Sequence, residues 1–215
     1  MTKKERYERF IAYFSEAMPE ANTELHYTNP FDLLVAVMLS AQCTDKRVNM
    51  VTPALMAAYP TAAQMAKATK EDVLAFVKSV SYPNSKAEHL VQMARALTEK
   101  HGGEVPSDFD ELVALPGVGR KTANVMLSVV FNQSAMAVDT HVFRLSHRIG
   151  LVSDKCTTPF AVEKELVKNI PEDIIPRAHH WLILHGRYVC KAHRPICKDC
   201  GLTDICKYFK KELSI

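Results

Sequence analysis

Glycine and long apolar segments are scarce in this chain of 215 residues. Its seven glycines are less than half of the roughly 7% found in an average composition, which indicates few tight turns and much helix. The longest apolar stretches, such as residues 33 to 39, are far shorter than the roughly 18 residues of a membrane-spanning helix. Period-two alternation between hairpin dipeptides is also missing. The sequence therefore excludes a membrane protein and predicts an all-α protein of about ten short helices.

Start signals for helices recur along the chain. Asn29 and Thr158 each precede a proline, which is the pattern of a capping residue followed by the first helical position. Capping-box spacings begin at Thr69, Ser85 and Ser107, each with an acidic residue three positions later. We expect a helix to begin at each of these five positions.

Four of the six cysteines lie in one segment near the C-terminus, with the spacing Cys190-x6-Cys197-x2-Cys200-x5-Cys206. The N-terminus has no export signal, and clustered cysteines in an intracellular chain are metal ligands more often than disulfides. Zinc and an iron-sulfur cluster both accept four thiolates. Only one C-x2-C pair is present, whereas a structural zinc site usually has two, so the spacing favours a 4Fe-4S cluster over zinc.

The net charge is only +3, but cations are concentrated in two segments. Residues 120 to 148 hold four Lys and Arg residues against one acid, and residues 174 to 198 hold five with no acid. If both segments share a face, that face could bind a phosphate backbone; two ordinary solvated patches are the alternative. Within the second segment, a metal site would stiffen the loop and direct Lys191 and Arg194 toward phosphate.

Residues 115 to 127 join two predicted helices through Gly117, Val118 and Gly119. The two glycines allow a tight turn and leave the amides of Val118 and Gly119 bare at the start of a helix, where the dipole favours an anion. A DNA phosphate would fit there, with Arg120 beside it. A plain turn between two helices is the alternative.

Lys121 falls in the first turn of that helix, where the dipole disfavours an ammonium group and so favours a nucleophilic amine. An ordinary surface lysine is the alternative. Asp139 has first of all the position of a helix N-cap. An acid near the amine could also accept its proton, or stabilise positive charge on a sugar as a glycosidic bond breaks. His141 and Arg144 follow at helical spacing, and His141 suits a structural or phosphate contact better than base catalysis.

Taken together and in this order, these parts resemble the endonuclease III family of DNA glycosylases with an AP-lyase activity. The resemblance covers essentially the whole chain and rests on LLVAVMLSAQCTD, NSKA, LPGVGRKTANV, AVDTHVFR, HHWLILHGRYVC and the cysteine spacing. It implies a helix-hairpin-helix DNA glycosylase fold. Residues 23–133 would form a six-helix bundle domain with the hairpin motif, and residues 1–22 with 134–215 a helical iron-sulfur cluster domain, with a DNA-binding cleft between them.

The resemblance also implies roles for single residues. Lys121 matches the nucleophile that attacks C1′ of a damaged nucleotide and forms a Schiff base, and Asp139 matches the essential carboxylate. β-Elimination of the 3′ phosphate then cuts the strand. The expected partner is double-stranded DNA with oxidised pyrimidines or abasic sites, and the expected cofactor is a 4Fe-4S cluster on the four cysteines. We expect a monomer in a bacterial cytoplasm, associated with the nucleoid and with no membrane.

The target nucleotide must leave the duplex, because its C1′ is unreachable within the stack. Gln42 matches the residue that fills the vacated space in the family; a buried helix-end amide is the alternative. The opposite wedge lies where many members have Gly-Leu-Tyr-Asn, but this chain has Ser81, Tyr82, Pro83 and Asn84. Tyr82 could insert as an aromatic wedge with Asn84 beside it, although Pro83 changes the backbone.

Two other functions compete with this one. A monofunctional adenine or mismatch glycosylase of the same superfamily shares the fold and the cluster. No acid lies between Asp32 and Asp45, where the adenine-excising branch carries a catalytic glutamate, and Lys121 favours the lyase branch. A non-catalytic DNA-binding protein with a structural metal cluster would need only the hairpin and the cysteines. The joint presence of Lys121 and Asp139 argues for chemistry.

Overall fold

Residues 1 to 212 are described by a computed structural model, and within them the chain forms twelve α-helices, one short 3-10 helix and no strand. No helix of this range is long and apolar enough to cross a membrane. The all-α prediction is confirmed. The helices are α1 (Lys3–Ala17), α2 (Pro30–Ser40), α3 (Asp45–Ala58), α4 (Ala62–Met65), α5 (Lys70–Val77), α6 (Pro83–His101), α7 (Phe109–Val113), α8 (Arg120–Val129), α9 (Thr140–Ile149), α10 (Pro159–Asn169), α11 (Ile175–Tyr188) and α12 (Lys207–Glu212), with the 3-10 helix at Cys197–Asp199.

The chain divides into two compact units. The hairpin unit is Glu24–Phe131, and the cysteine unit combines Met1–Thr23 with the chain from Asn132 onward. The borders expected at 23–133, and at 1–22 with 134–215, lie within one or two residues of these divisions. The last three residues of the expected range 134–215 lie outside the described residues. Among these residues the hairpin unit holds α2 to α8, where a six-helix bundle was expected, and α4 spans only four residues.

Helix α2 is the centre of the hairpin unit. Its residues from Phe31 to Leu39 are all buried, and it contacts α3, α6 and α8. A helix that is apolar on every side is stable only when other helices surround it. The capping residue Asn29 and the following Pro30 set where it begins. The unit is thereby built around a rigid helix that ends at Ser40.

An aromatic core joins α1 to the distant α11 in the cysteine unit. The rings of Phe14 and Trp181 stack with centroids 5.7 Å apart, and the Trp181 indole donates a hydrogen bond to the Met18 carbonyl at 2.7 Å. Helix α9 contacts α10, α11 and α12. The N-terminal helix therefore belongs to the same core as the C-terminal third of the chain.

Two of the predicted helix starts, at Ser85 and Ser107, are wrong. Helix α6 already begins at Pro83, because a proline is pre-organised for the first helical position, so Ser85 lies inside the helix. Helix α7 is capped by Asp108, whose carboxylate accepts hydrogen bonds from two amides of the first turn. The three other predicted starts are confirmed, with side-chain caps from Asn29, Thr69 and Thr158.

Candidate functional site

The turn between α7 and α8 carries the predicted glycine-rich hairpin. Gly117 has a left-handed backbone with φ +76°, and a Cβ built there would lie 2.7 Å from His89 Cβ and 2.9 Å from Met38 Cε. Val118 buries its side chain. The expectation that the Val118 amide is bare is wrong, because it donates to the Leu115 carbonyl at 3.1 Å. The Val118 amide is thus used by a hydrogen bond within the turn. Only amides after Val118 can belong to the positive end of α8.

Lys121 is the second residue of α8 and its side chain is exposed. Gly119 is the N-cap, and no side chain caps this helix. Arg120, also exposed, holds its guanidinium 4.8 Å from the ring centroid of Phe109. The first turn of α8 therefore presents a lysine amine and a positive helix end on the surface of the hairpin unit.

Substituting Gly117 by Ala is expected to lower the free energy of unfolding by about 2 to 4 kcal/mol. The left-handed backbone penalises any Cβ, and here the Cβ would also collide with His89 and Met38. Urea unfolding measures the loss. The control is Gly119→Ser, because Gly119 has φ −97° and nothing lies within 4 Å of its Cβ position. Equal stabilities of the two variants would contradict the tight packing of the hairpin.

Gln42 and Tyr82 lie on two neighbouring loops of the hairpin unit, after α2 and before α6. Both have left-handed backbones with φ 54°, which is uncommon for residues other than glycine. Both side chains are exposed, Tyr82 by 66%. The alternative of a buried amide at Gln42 is therefore wrong. Asn84, the second residue of α6, is exposed as well.

Lys86 has a place in this region that the sequence reasoning missed. Its side chain is buried, and its ammonium donates hydrogen bonds to the carbonyls of Leu39 at 2.8 Å and Ala41 at 2.6 Å. The Ser81 hydroxyl donates to the Gln42 carbonyl at 2.6 Å. No local signal in the sequence marks this contact, because its acceptors are backbone carbonyls 47 and 45 positions away.

Asp139 is the N-cap of α9, as predicted. Its Oδ1 accepts the amides of His141 and Val142, both at 2.8 Å, and its Oδ2 lies 2.9 Å from His141 Nδ1. The Asp139 side chain keeps 14% of its surface exposed. Gly186 lets α11 approach closely, because a Cβ there would lie 2.9 Å from His141 Cβ. The carboxylate is therefore fixed in orientation and remains partly exposed.

Arg144, expected to contact DNA, directs its guanidinium at backbone carbonyls of its own unit. It donates to Gly186 at 2.7 Å and to Cys190 at 3.1 Å, and so ties α9 to α11 and to the first cysteine. Lys191 and Arg194 are exposed on the loop that follows, and Arg194 has a left-handed backbone with φ 51°. Two of the three cations expected to contact DNA here thus point to solvent.

All four clustered cysteines line one pocket of the cysteine unit. Three of the sulfurs receive hydrogen bonds: the Phe209 amide donates to Cys206 Sγ at 3.4 Å, the Arg148 guanidinium to Cys190 Sγ at 3.5 Å, and the Leu202 amide to Cys200 Sγ. Burial raises the pKa of the Cys200 thiol to about 11. Within residues 1 to 212, no group of three His, Cys, Asp or Glu side chains has the arrangement that holds a single metal ion.

Comparison with protein families and curated sequences gives one consistent match. Residues 35–172 match the family model described as HhH-GPD superfamily base excision DNA repair protein. The chain is similar to the endonuclease III of Rickettsia felis, with 46% identity over 95% of each chain. Its similarity to the endonuclease III of Escherichia coli K12 is 44% identity over 98% of this chain and 99% of the relative.

Solved structures agree with the sequences. A trapped endonuclease III–DNA covalent intermediate matches with a TM-score of 0.93 and 42% identity, over 99% of this chain and all of that one. A non-covalent endonuclease III–DNA complex matches with the same TM-score and 41% identity over the full length of both chains. The expected helix-hairpin-helix glycosylase fold is confirmed. The chain therefore belongs to the HhH-GPD superfamily of base excision DNA repair proteins and, within it, to the endonuclease III family.

Proposed function

We propose that this enzyme removes oxidised pyrimidines from double-stranded DNA with Lys121 as its nucleophile. The protein is a base-excision repair enzyme with DNA glycosylase and AP-lyase activities, as its full-length relationship to endonuclease III establishes. The observation that carries the residue assignment is the exposed Lys121 in the first turn of α8, directly after the hairpin. A nucleophilic lysine must be reachable by a sugar carbon, and this amine is.

The Lys121 amine attacks C1′ of the extruded nucleotide, and the bond from C1′ to the damaged base breaks. The base leaves with the bonding electrons and is protonated. Nitrogen then loses a proton, the C1′–O4′ bond breaks and O4′ takes up a proton, which gives an iminium ion between Lys121 and C1′. Removal of a proton from C2′ then expels the 3′ phosphate, so the strand is cut on the 3′ side. Hydrolysis of the iminium releases Lys121.

Asp139 is the proposed carboxylate of this reaction. Its Oδ1 accepts two amides and its Oδ2 lies 2.9 Å from His141 Nδ1, so the carboxylate is held in one orientation. A fixed carboxylate can stabilise positive charge on the sugar and accept a proton from the attacking amine. His141 holds the carboxylate in place, so we assign it a positioning role.

The DNA interface is proposed to include the hairpin, the two left-handed loops and the basic cysteine loop. Gly117, Val118 and Gly119 shape the turn, and Gly119 and Arg120 at the start of α8 suit a phosphate. Gln42 and Tyr82 are exposed side chains that can enter a duplex, with Asn84 beside them. Lys191 and Arg194 add cations, while Arg144 supports this loop from inside through Cys190.

A 4Fe-4S cluster is proposed on Cys190, Cys197, Cys200 and Cys206. The residues fit this group, because the four cysteines line one pocket and three of their sulfurs receive hydrogen bonds of the kind that surround cluster sulfurs. When bound, the cluster supplies iron–thiolate bonds that cross-link four points of the segment. Buried thiols with raised pKa values resist ionisation on their own, and iron would stabilise the thiolates.

Substituting Cys200 by Ser is expected to abolish the iron-sulfur absorption and to lower the free energy of unfolding by about 4 kcal/mol or more. The serine hydroxyl is a poor ligand for iron, and the segment loses its cross-link. Iron content, visible absorption and urea unfolding measure the effect. Cys156→Ser is the matched control, since Cys156 is a half-buried thiol of the same unit that does not line the pocket of the four clustered cysteines. Full iron content in Cys200→Ser would remove that cysteine from the cluster.

The proposed activity is tested with a duplex that contains one oxidised pyrimidine. We expect release of the free base, a strand break on the 3′ side and a protein–DNA complex trapped by borohydride. Base release without a strand break would replace this function by a monofunctional glycosylase. Binding without either product would indicate a non-catalytic DNA-binding protein.

We further propose that the protein acts as a monomer beside the nucleoid of a bacterial cytoplasm.

A further inference from the structure

Two exposed side chains of the hairpin unit are carried on strained backbone. Gln42 and Tyr82 both have φ 54°, the left-handed region that side chains with a Cβ rarely adopt. Such a conformation costs free energy and persists only where the surroundings over-determine it, which is why it collects at functional sites. Neither residue is held by burial, because both are exposed. Contacts of their chain neighbours must therefore hold them.

Lys86 supplies the first of these contacts. The residue lies one turn into α6, four positions after Tyr82, and is 8% exposed. Its ammonium donates to the carbonyls of Leu39 and Ala41, and Ala41 is the C-cap of α2 directly before Gln42. One side chain of α6 thus fixes the end of α2 and the residue at which the chain turns to Gln42.

Ser81, in the loop that carries Tyr82, supplies the second contact to the loop that carries Gln42. Its hydroxyl donates to the Gln42 carbonyl at 2.6 Å, and Ser81 directly precedes Tyr82. The two loops are therefore linked twice, once through Lys86 and once through Ser81. Ser81, directly before Tyr82, bonds to Gln42 itself, and Lys86, in the helix after Tyr82, bonds to Ala41 directly before Gln42.

The chemistry of Lys86 suits this position better than an apolar side chain would. The last carbonyls of a helix have no intrahelical partner, and the negative end of the dipole attracts a cation. An ammonium group satisfies two such carbonyls at once. Lys86 is also the fourth residue of α6, close to the positive end of its own helix dipole, so stability of α6 alone does not explain a lysine there.

We propose that Lys86 is a positioning residue that holds Gln42 and Tyr82 in the backbone conformation in which both side chains enter the duplex around an extruded nucleotide. The proposal rests on the proposed function. Lys86 touches neither substrate nor Lys121 in this scheme, and it acts through the ends of two loops. Without it, the left-handed residues relax and the duplex loses the groups that replace the missing base.

Two substrates separate this role from catalysis and from stability. An abasic site in a single strand needs no insertion into a duplex, so its cleavage depends on the lysine chemistry alone. A damaged base within a duplex needs extrusion and filling of the gap. A positioning residue for Gln42 and Tyr82 affects the second reaction and spares the first. A purely structural residue affects both in proportion to the folded fraction.

The experiment compares Lys86→Met with Arg95→Met under single-turnover conditions. Arg95 is a matched control, because its guanidinium also caps backbone carbonyls from α6, namely those of Ala66 and Ala68, away from Gln42 and Tyr82. The measured quantity is the rate of base excision in a duplex divided by the rate of cleavage at a single-stranded abasic site. We expect Lys86→Met to lower this ratio at least tenfold and Arg95→Met to leave it within twofold. Lys86→Arg, which retains donors, should restore most of it.

An unchanged ratio in folded Lys86→Met would overturn the proposal. If that variant does not fold, Ser81→Ala decides in its place, since it removes the second link from a half-exposed position. A fall in the ratio supports the proposal, and no fall overturns it. Failure of the proposed function is recognised separately, because the wild-type protein would then leave the single-stranded abasic site uncut.

Discussion

Substituting Lys121 by Gln is expected to abolish borohydride trapping and to lower the rate of strand cleavage roughly 10³-fold or more. Glutamine cannot form an iminium ion, so no covalent intermediate exists for borohydride to reduce. Trapping of a duplex with one oxidised pyrimidine, and of a duplex with one abasic site, measures the loss. Folding should be unaffected, because the side chain is exposed and glutamine is a good helix former.

The matched control for this variant is Lys100→Gln, another exposed lysine in a helix of the hairpin unit. It removes the same charge and should trap like the wild-type protein. Equal iron content and equal unfolding curves must accompany the comparison. A covalent complex that persists in Lys121→Gln would assign the nucleophile to another amine and overturn the proposed mechanism.

Substituting Asp139 by Asn is expected to lower the rate of base excision about 10²- to 10⁴-fold while changing the free energy of unfolding by less than about 0.5 kcal/mol. Asparagine caps a helix as well as aspartate does, so Oδ1 can still accept the amides of His141 and Val142. It has no negative charge to stabilise a cationic sugar or to accept a proton. Single-turnover excision and urea unfolding separate the two roles.

Asp108→Asn is the control, because Asp108 caps α7 with the same pair of amide contacts, at 2.9 and 3.0 Å. We expect it to match Asp139→Asn in stability and the wild-type protein in excision rate. Equal activity of Asp139→Asn and the wild-type protein would reduce Asp139 to a helix cap. If unfolding of Asp139→Asn accounted for its whole loss of excision rate, Asp139 would likewise be only a helix cap.

Local sequence signals correctly predicted where α2, α5, α9 and α10 begin. Caps at Asn29, Thr69 and Thr158 involve residues only three positions apart, so the pattern itself contains both partners. The failures at Ser85 and Ser107 had competing local signals. A proline outweighed one capping box, and a neighbouring aspartate outweighed the other.

The contacts of single polar groups were harder to predict. Lys86 and its carbonyl partner Leu39 are 47 positions apart, and Arg144 and the Cys190 carbonyl are 46 apart. No periodicity or spacing encodes such a pair, because the partner of each cation is a backbone oxygen that every residue possesses. Arg144 was therefore expected at the DNA, whereas its guanidinium lies on carbonyls inside the cysteine unit.

Local patterns were enough to predict the helical class and the cap at Asp139, and they located the four-cysteine segment, the glycine hairpin and Lys121. Each of these features involves residues that are close together in the chain, or residue types such as clustered cysteines that serve few chemical purposes. Three features became visible only in the folded hairpin unit: the Val118 amide is satisfied, Gln42 and Tyr82 are exposed on left-handed backbone, and Lys86 joins their loops. Such backbone strain and such buried hydrogen bonds depend on which helix ends lie next to each other. Those neighbours are far apart in the chain and are brought together only when the whole unit packs.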